Sequence, residues 1–463
     1  MSHNKPGRRE FLATGAGVSL LGLDAFDAES CSALGQLQGE AQAALAKFVP
    51  NPRIQQDRLA ALDILKPSEK EIQRGLALHR ESLVFDTYGF SPRASLDPVA
   101  LNRLIDASAS DAEYDDAREE QSMIGPLRND LERIEFLHAW QQAGVTCIFQ
   151  NAGEEGQDPL RLVKRLARFT FLTDNLPGQL TKAVHPDDIV AAKKAGHHCL
   201  YLTGNGVPLT QNWDTVADEL RYVRIFYQLG IRMMHLTYQR RNMIGDGCAE
   251  AANGGLSDFG KSVVGEMNRV GVIPDVAHSG WQTSLETARL SDKPVLASHT
   301  TCAELHPHIR SKPDEVIRAI ADTGGLVGIC CISRFLRGQG DIAALLDHID
   351  HVVKKFGSEH VGIGSDVAYT SQYSSATAGK IKSRPRSRKE WRSLWPDDNF
   401  RPTAAAGQSI AWTNWPMFTV GLVQRGYKDE QIRQIIGGNM LRVCRAAIED
   451  IDVPPLSRHK ADP

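Results

Sequence analysis

Eight short β-prone runs, each followed by a stretch of helical periodicity, constrain this chain more than any other feature. The runs are Leu83–Thr87, Gly144–Gln150, Cys199–Thr203, Ile231–Tyr238, Val272–His278, Pro294–His299, Gly325–Ile332 and His360–Asp366. Between most of them, apolar residues recur at helical spacing, as in 259–269 and 314–322. Strands that alternate with helices imply parallel pairing through right-handed crossovers. Eight such units are the number that closes an α/β, (β/α)8 TIM-type barrel. The alternative, a doubly wound open sheet, needs an edge and a switch-point crevice, and the sequence locates neither. A length of 463 residues suits a barrel with insertions, and 42% hydrophobic residues supply its core.

The ends of the runs are chemically uniform. Tyr238, His278, His299 and Asp366 all fall at the C-terminal tips of strands. In a barrel these tips share one mouth, where active sites form. Imidazole and carboxylate side chains ending buried strands are costly unless they are partnered. Two histidines and an aspartate are also a ligand set suited to zinc with one open position. A lone histidine at a strand end is more often structural, so the grouping carries the metal reading.

Two segments interrupt the pattern. Residues 91–125, with the acidic run SDAEYDDAREEQ, follow the first strand, and residues 370–406, with KIKSRPRSRKEWRSLWPDD, follow the last. Loops at that face act as lids or remain solvated surface. Windows at 412–425 and 429–447 close the chain as helices. Residues 76–450 are thus the barrel with inserted loops, 31–75 an N-terminal extension or linker, and 451–463 a tail.

The N-terminus reads Gly7-Arg8-Arg9-Glu10-Phe11-Leu12 ahead of a mild apolar run too short to span a bilayer. Residues 1–30 are expected to be a twin-arginine-type signal for export to the periplasm. A basic N-terminus with a short helix, on a cytoplasmic protein, is the alternative. No other stretch is apolar enough for a transmembrane span. A net charge of -3 gives no whole-chain argument for nucleic acid, and the short basic run near Trp391 and Trp395 adds little to one. Eight scattered cysteines without a CxxC pair read as small buried hydrophobes, not a disulfide framework. No Gly-x-Ser-x-Gly elbow, dinucleotide fingerprint or P-loop occurs.

Longer motifs carry a resemblance. The segments LTYQRRNMIGDGCAEAANGGLSDFGKSVVGEMNRVGVIPDVAHSG, PVLASHTTCAELHPHIRSKPDEVIRAIADTGGLVGI, DHIDHVVKKFGSEHVGIGSD and GYKDEQIRQIIGGNMLRV resemble, in that order, the membrane dipeptidase (renal dipeptidase, peptidase M19) family of zinc peptidases. The likeness runs from about residue 83 to 447. It implies a metal-dependent hydrolase acting on a dipeptide or similar small amide. His278 and His299 fall on two zinc-binding histidines, Asp366 on the aspartate assigned to proton transfer, and Arg310 on the arginine that holds the substrate carboxylate. Tyr238 stands where many members place a histidine that polarises the scissile carbonyl, and its hydroxyl can still donate there. The resemblance also implies a peptide-like substrate, and dimerisation is common in the family.

The departures are as informative. The family's first strand ends Asp-x-His-x-Asp, whereas this chain has Asp86-Thr87-Tyr88-Gly89-Phe90, so Tyr88 and Phe90 replace two ligands. Thr203 aligns with the glutamate that bridges two metals. The two-zinc centre of the family therefore cannot form on this alignment. Three readings stay open. One zinc ion is held by His278, His299 and Asp366; or Glu154, Glu155 or Asp246 completes a rearranged site; or no metal is held. In the last case the barrel binds a peptide-like ligand or assists maturation of an exported product, and Tyr88 lines a drier substrate pocket.

Overall fold

The computed structural model describes residues 48–153, 158–384 and 398–451. The signal segment, Cys31, Glu154, Glu155, Trp391, Trp395 and residues 452–463 lie outside them.

Ten parallel strands form one sheet: β1 (Phe85–Gly89), β2 (Cys147–Asn151), β3 (Leu180–Ala183), β4 (His198–Gly204), β5 (Ile231–His235), β6 (Ile273–Asp275), β7 (Leu296–Cys302), β8 (Ser311–Lys312), β9 (Leu326–Ile329) and β10 (Val361–Ile363). Eight follow one another in the order β1-β2-β4-β5-β6-β7-β9-β10 and coincide with the eight runs read from sequence; β3 adds to β4, and β8 to β7. With helices around the strands, this is a nearly closed (β/α)8 barrel. Most boundaries differ from the sequence reading: β7 runs past His299 to Cys302, β9 stops at Ile329, and three others take site residues off the strands. β5 ends at His235 instead of Tyr238, β6 ends at Asp275 instead of His278, and β10 ends at Ile363 instead of Asp366. Tyr238, His278 and Asp366 thus sit on the turns beyond the strand ends.

Alternation within each strand builds two layers of core. Cys147 and Phe149, with Cys199 and Tyr201, join Phe85, Met233, Ile273, Leu296 and Leu326 in one buried cluster, which also takes in Met440 and Val443 from the last helix. Their strand neighbours Ile148, Leu200 and Leu202 belong instead to the cluster shared with the surrounding helices. The first set therefore fills the barrel, and helix Asn439–Ala447 plugs it.

The barrel closes between β10 and β1 through side chains as well as backbone. Asp86 Oδ1 accepts from Ser365 N at 2.8 Å, Oδ2 accepts from Ser365 Oγ, and Trp412 Nε1 donates to Oδ2 at 3.3 Å. One step further, Asp366 N donates to Tyr88 O at 3.0 Å. Thr87 Oγ1 reaches Ser298 O at 2.7 Å. A Cβ at Gly328 or Gly364 would fall 2.0 or 1.9 Å from that same carbonyl, so both positions need glycine for close approach.

Much of the segment read as an extension or linker is helical: Pro52–Leu65, capped by Asn51, and Glu69–Glu81, with a capping box from Ser68 and Glu71. The acidic insertion forms helices Pro98–Asp106 and Asp111–Ile124. Glu119 on the second takes Arg161 at 2.6 Å and Arg165 at 3.0 Å, tying the insertion to helix Pro159–Asp174. The described start of the basic loop pairs with the same insertion, Lys382 with Asp106 and Arg384 with Asp111. The seven cysteines among the described residues are free. No helix among these residues is long and apolar enough to cross a membrane.

The seam supplies a stability test. Asp86→Ala leaves buried Ser365 and Trp412 donors without an acceptor, and is expected to lower unfolding free energy by about 2–4 kcal/mol in denaturant titration. Asp86→Asn, which keeps an acceptor oxygen, should lose less.

Candidate metal centre and active site

Three histidines converge inside the barrel mouth. His235 ends β5, His278 follows β6 and His299 lies within β7; each offers a ligand nitrogen within 4.8 Å of the others. All three are buried. His278 Nε2 and His299 Nε2 face each other at 2.9 Å. Alternation explains His235: it shares a face with Met233, whose side chain fills the barrel.

The outer ring nitrogens decide what the inner ones can do. His278 Nδ1 donates to Gln239 Oε1 at 3.1 Å. His299 Nδ1 donates to Ser298 Oγ at 2.9 Å, and that hydroxyl passes its own proton to Asp275 Oδ2. Both Nδ1 atoms are thereby protonated, so in the neutral rings both Nε2 atoms carry lone pairs. Burial, reinforced by the Arg310 guanidinium, holds His278 and His299 well below the ordinary imidazole pKa. Two lone pairs at this spacing repel unless a proton or a cation lies between them. His235 adds donor capacity. Its Nε2 lies 2.8 Å from Asp275 Oδ2 but off the hydrogen-bonding direction, and neither ring nitrogen has a hydrogen-bond partner among the described residues.

Asp275 anchors the arrangement. Its Oδ1 accepts from Ala277 N and Ser298 N, both at 3.0 Å. Burial opposes its charge, but His235 and the hydrogen bonds from Ser298 outweigh burial and hold its carboxyl below the usual range.

The other expected residues surround this group. Tyr88 stacks on His299 with ring centroids 3.9 Å apart, and its hydroxyl accepts from Asn151 Nδ2 at 2.8 Å. Tyr238 stacks on His278 at 4.3 Å and is partly exposed, as an outer wall of the mouth. Asp366 is partly exposed and has a left-handed backbone, φ +54. Burial among protein atoms pushes its carboxyl up to about 6, against the pull of Arg310 and His235. It does not belong to the three-residue ligand group, in which His235 stands instead. Arg310 donates through one terminal nitrogen to Ala277 O and through the other to His299 O at 3.1 Å. Lys312, not singled out in the sequence, is fully buried and donates to Ser279 O at 2.6 Å; burial pushes it down to about 7.

At the positions where the resemblance leads one to expect further ligands, other contacts are made. Thr203 Oγ1 is spent on Met233 O at 2.9 Å, and Phe90 packs on Tyr88. Asp246 is committed to Arg241 and to Gly254 N, away from the histidines.

A model of the membrane dipeptidase family, peptidase family M19, matches residues 77–376. The chain belongs to the membrane dipeptidase family. Dipeptidase verJ of Clonostachys rogersoniana is 30% identical over 237 residues, which make up 50% of this chain and 53% of that protein. The chain spans about half the length of the curated relatives it matches. Among solved structures, an amidohydrolase from Pseudomonas aeruginosa aligns over 81% of this chain and 98% of its own, with TM-score 0.58 and 24% identity. A metallo peptidase from Rhodobacter sphaeroides, liganded with a phosphinate mimic of the dipeptide L-Ala-D-Ala, aligns over 79% and 99%, with TM-score 0.56 and 17% identity. At these identities the structural neighbours establish the fold. Within this membrane dipeptidase barrel the three histidines fit a divalent ion, because each offers a buried ring nitrogen within 4.8 Å of the others.

Gln239 gives this centre its own test. Gln239→Leu removes the acceptor that fixes the His278 tautomer, and should weaken divalent-metal binding about 10–100-fold. Competition against a chromophoric chelator reads the change, and an unaltered affinity would contradict the assigned tautomer.

Proposed function

We propose that this protein is a one-ion metallohydrolase that cleaves the amide of a dipeptide or a similarly small substrate. The observation that carries the reading is the pair of facing imidazole nitrogens, His278 Nε2 and His299 Nε2, with His235 beside them. His235, His278 and His299 would hold the ion, and zinc suits three imidazoles with one position open. When bound, such an ion lowers the pKa of water and polarises a carbonyl. One ion is favoured over two because Tyr88, Phe90 and Thr203 replace ligands, while Arg310 and Lys312 already bring positive charge to the cluster. Family membership and the dipeptide-like ligand of the Rhodobacter sphaeroides enzyme support the substrate class.

The chain's own groups supply the rest. Asp366, as a carboxylate at the partly open side of the mouth, accepts the proton of the attacking water and returns it to the leaving amine. Tyr238, on the solvent side of His278, donates its hydroxyl to the carbonyl oxygen as charge develops there. Burial, with the charge of Arg310 adding to it, lowers the pKa of His278 and His299 and so favours the neutral rings that can bind a metal. The Arg8-Arg9 segment supports action outside the cytoplasm.

Elemental analysis and a dipeptide hydrolysis assay on the same purified sample test the proposal. About one zinc per chain with turnover is expected, and His278→Ala should lose both. No held metal and no turnover after zinc is restored would leave a binding or maturation role for the barrel. That second reading is favoured by how completely the Tyr88 ring covers His299. Protonation of Asp366 sets the pH dependence. Its carboxyl is raised to about 6, so kcat/KM should hold above that pH and fall roughly tenfold per unit below it. An acid limb unchanged in Asp366→Asn would remove Asp366 from proton transfer.

A further inference from the structure

The hydrogen bonds that prepare His278 for a metal run one step past Gln239. Gln239 Oε1 accepts from His278 Nδ1 at 3.1 Å and from Cys248 Sγ at 2.8 Å, so one amide oxygen serves both side chains. Gln239 is fully buried, and its Nε2 has no hydrogen-bond partner among the described residues. An unmatched buried amide group is costly, but turning the amide about would only trade one unmatched atom for the other. His278 does not choose between the two orientations, because a neutral imidazole can donate or accept at Nδ1. The thiol does choose. It keeps its proton at neutral pH, and with the amide turned that proton would lose the oxygen it points to.

The backbone holds the thiol where this choice is enforced. Cys248 N donates to His278 O at 2.8 Å, and Ala249 N donates to Gln239 O at 2.9 Å. Gly247 pairs with Ser279 as an antiparallel bridge. A Cβ at Gly247 would lie 2.1 Å from Tyr238 O and 2.3 Å from the carbonyl carbon of Gln239, so glycine is needed for the two segments to meet this closely. Arg240 Nη1 adds a further tie to Ala249 O at 2.9 Å. Among the described cysteines Cys248 alone is partly exposed, and the others are buried. Packing accounts for those. At Cys248 the thiol instead ends a polar chain that leads from the partly open surface to the histidine group.

We infer that Cys248 is a positioning residue: its thiol proton fixes the Gln239 amide, and the amide fixes the His278 tautomer whose Nε2 can bind a metal ion. With the amide turned, its NH2 faces Nδ1, the ring proton moves to Nε2, and that nitrogen no longer offers a lone pair. The tautomer follows from hydrogen bonds alone; its consequence rests on the metal-centre reading.

The test uses the full chain, zinc as the probe, and the variants Cys248→Ser and Cys248→Ala. Long-range proton–nitrogen correlation spectra of the metal-free protein read the His278 tautomer, and chelator competition reads zinc affinity. Wild type and Cys248→Ser, which keeps a hydroxyl donor, should show the ring proton on Nδ1. Cys248→Ala should show a share of it on Nε2 and bind zinc about tenfold more weakly, with serine restoring wild-type affinity. A wild-type proton on Nε2 overturns the inference, whether or not the variants fold. So does an alanine variant with tautomer and affinity unchanged, or a serine variant as weak as alanine. No zinc binding in wild type, with a tautomer that still follows Cys248, sinks the metal reading and leaves the positioning role. Tight zinc binding that is indifferent to Cys248 does the reverse.

Discussion

The closure of the barrel at Asp86 governs what the mouth can contain. This buried carboxylate takes Ser365 through both backbone and side chain, and Trp412 through its indole. It thereby joins the end of β10 to the start of β1. Tyr88 and Asp366 are each within two residues of that junction, and one backbone hydrogen bond links them. Asp366 and the aromatic wall at Tyr88 are thus positioned by one polar contact, in a layer where an unpaired donor would be costly. The glycines at 328 and 364 let backbone approach the Ser298 carbonyl just above it, which sets His299 in place.

The centre depends on a second constraint, the cost of burying charge. Burial lowers the pKa of His278 and His299, and the charges of Arg310 and Lys312 in the same interior add to that shift. Asp275 offsets part of that charge while it fixes the orientation of Ser298 and, through it, the His299 tautomer. Loss of the family's first-strand ligands does not leave a hole. Tyr88 and Phe90 fill that side with apolar area and π-faces, one against His299 and the other against Arg93. His235, His278 and His299 meanwhile keep buried nitrogen donors that could hold a metal ion.

The eight barrel strands were legible because each buries both faces and so reads as an apolar run bounded by polar turns. β3, with Thr181 and Lys182 half-exposed, and the two-residue β8 carry no such signal. Helices 52–65 and 69–81 escaped because their polarity hid clear caps at Asn51 and Ser68. In the site, His278, His299, Arg310 and Asp366 stood out through motif order, and Tyr88 through what it replaces. His235 did not, because the apolar run was carried on to Tyr238; alternation from Met233 was the signal available. Gln239, Ser298 and the carbonyls that occupy Arg310 act across strands distant in sequence, and no local pattern announces them.

The central claim is that three imidazoles at the mouth hold one ion. Anomalous diffraction at the zinc edge from crystals grown with zinc tests it most directly. The account predicts a single peak bonded to His235, His278 and His299, with none beside Tyr88 or Thr203. A peak that leaves His235 unbound, a second peak on the Tyr88 side, or no peak among the histidines would contradict it.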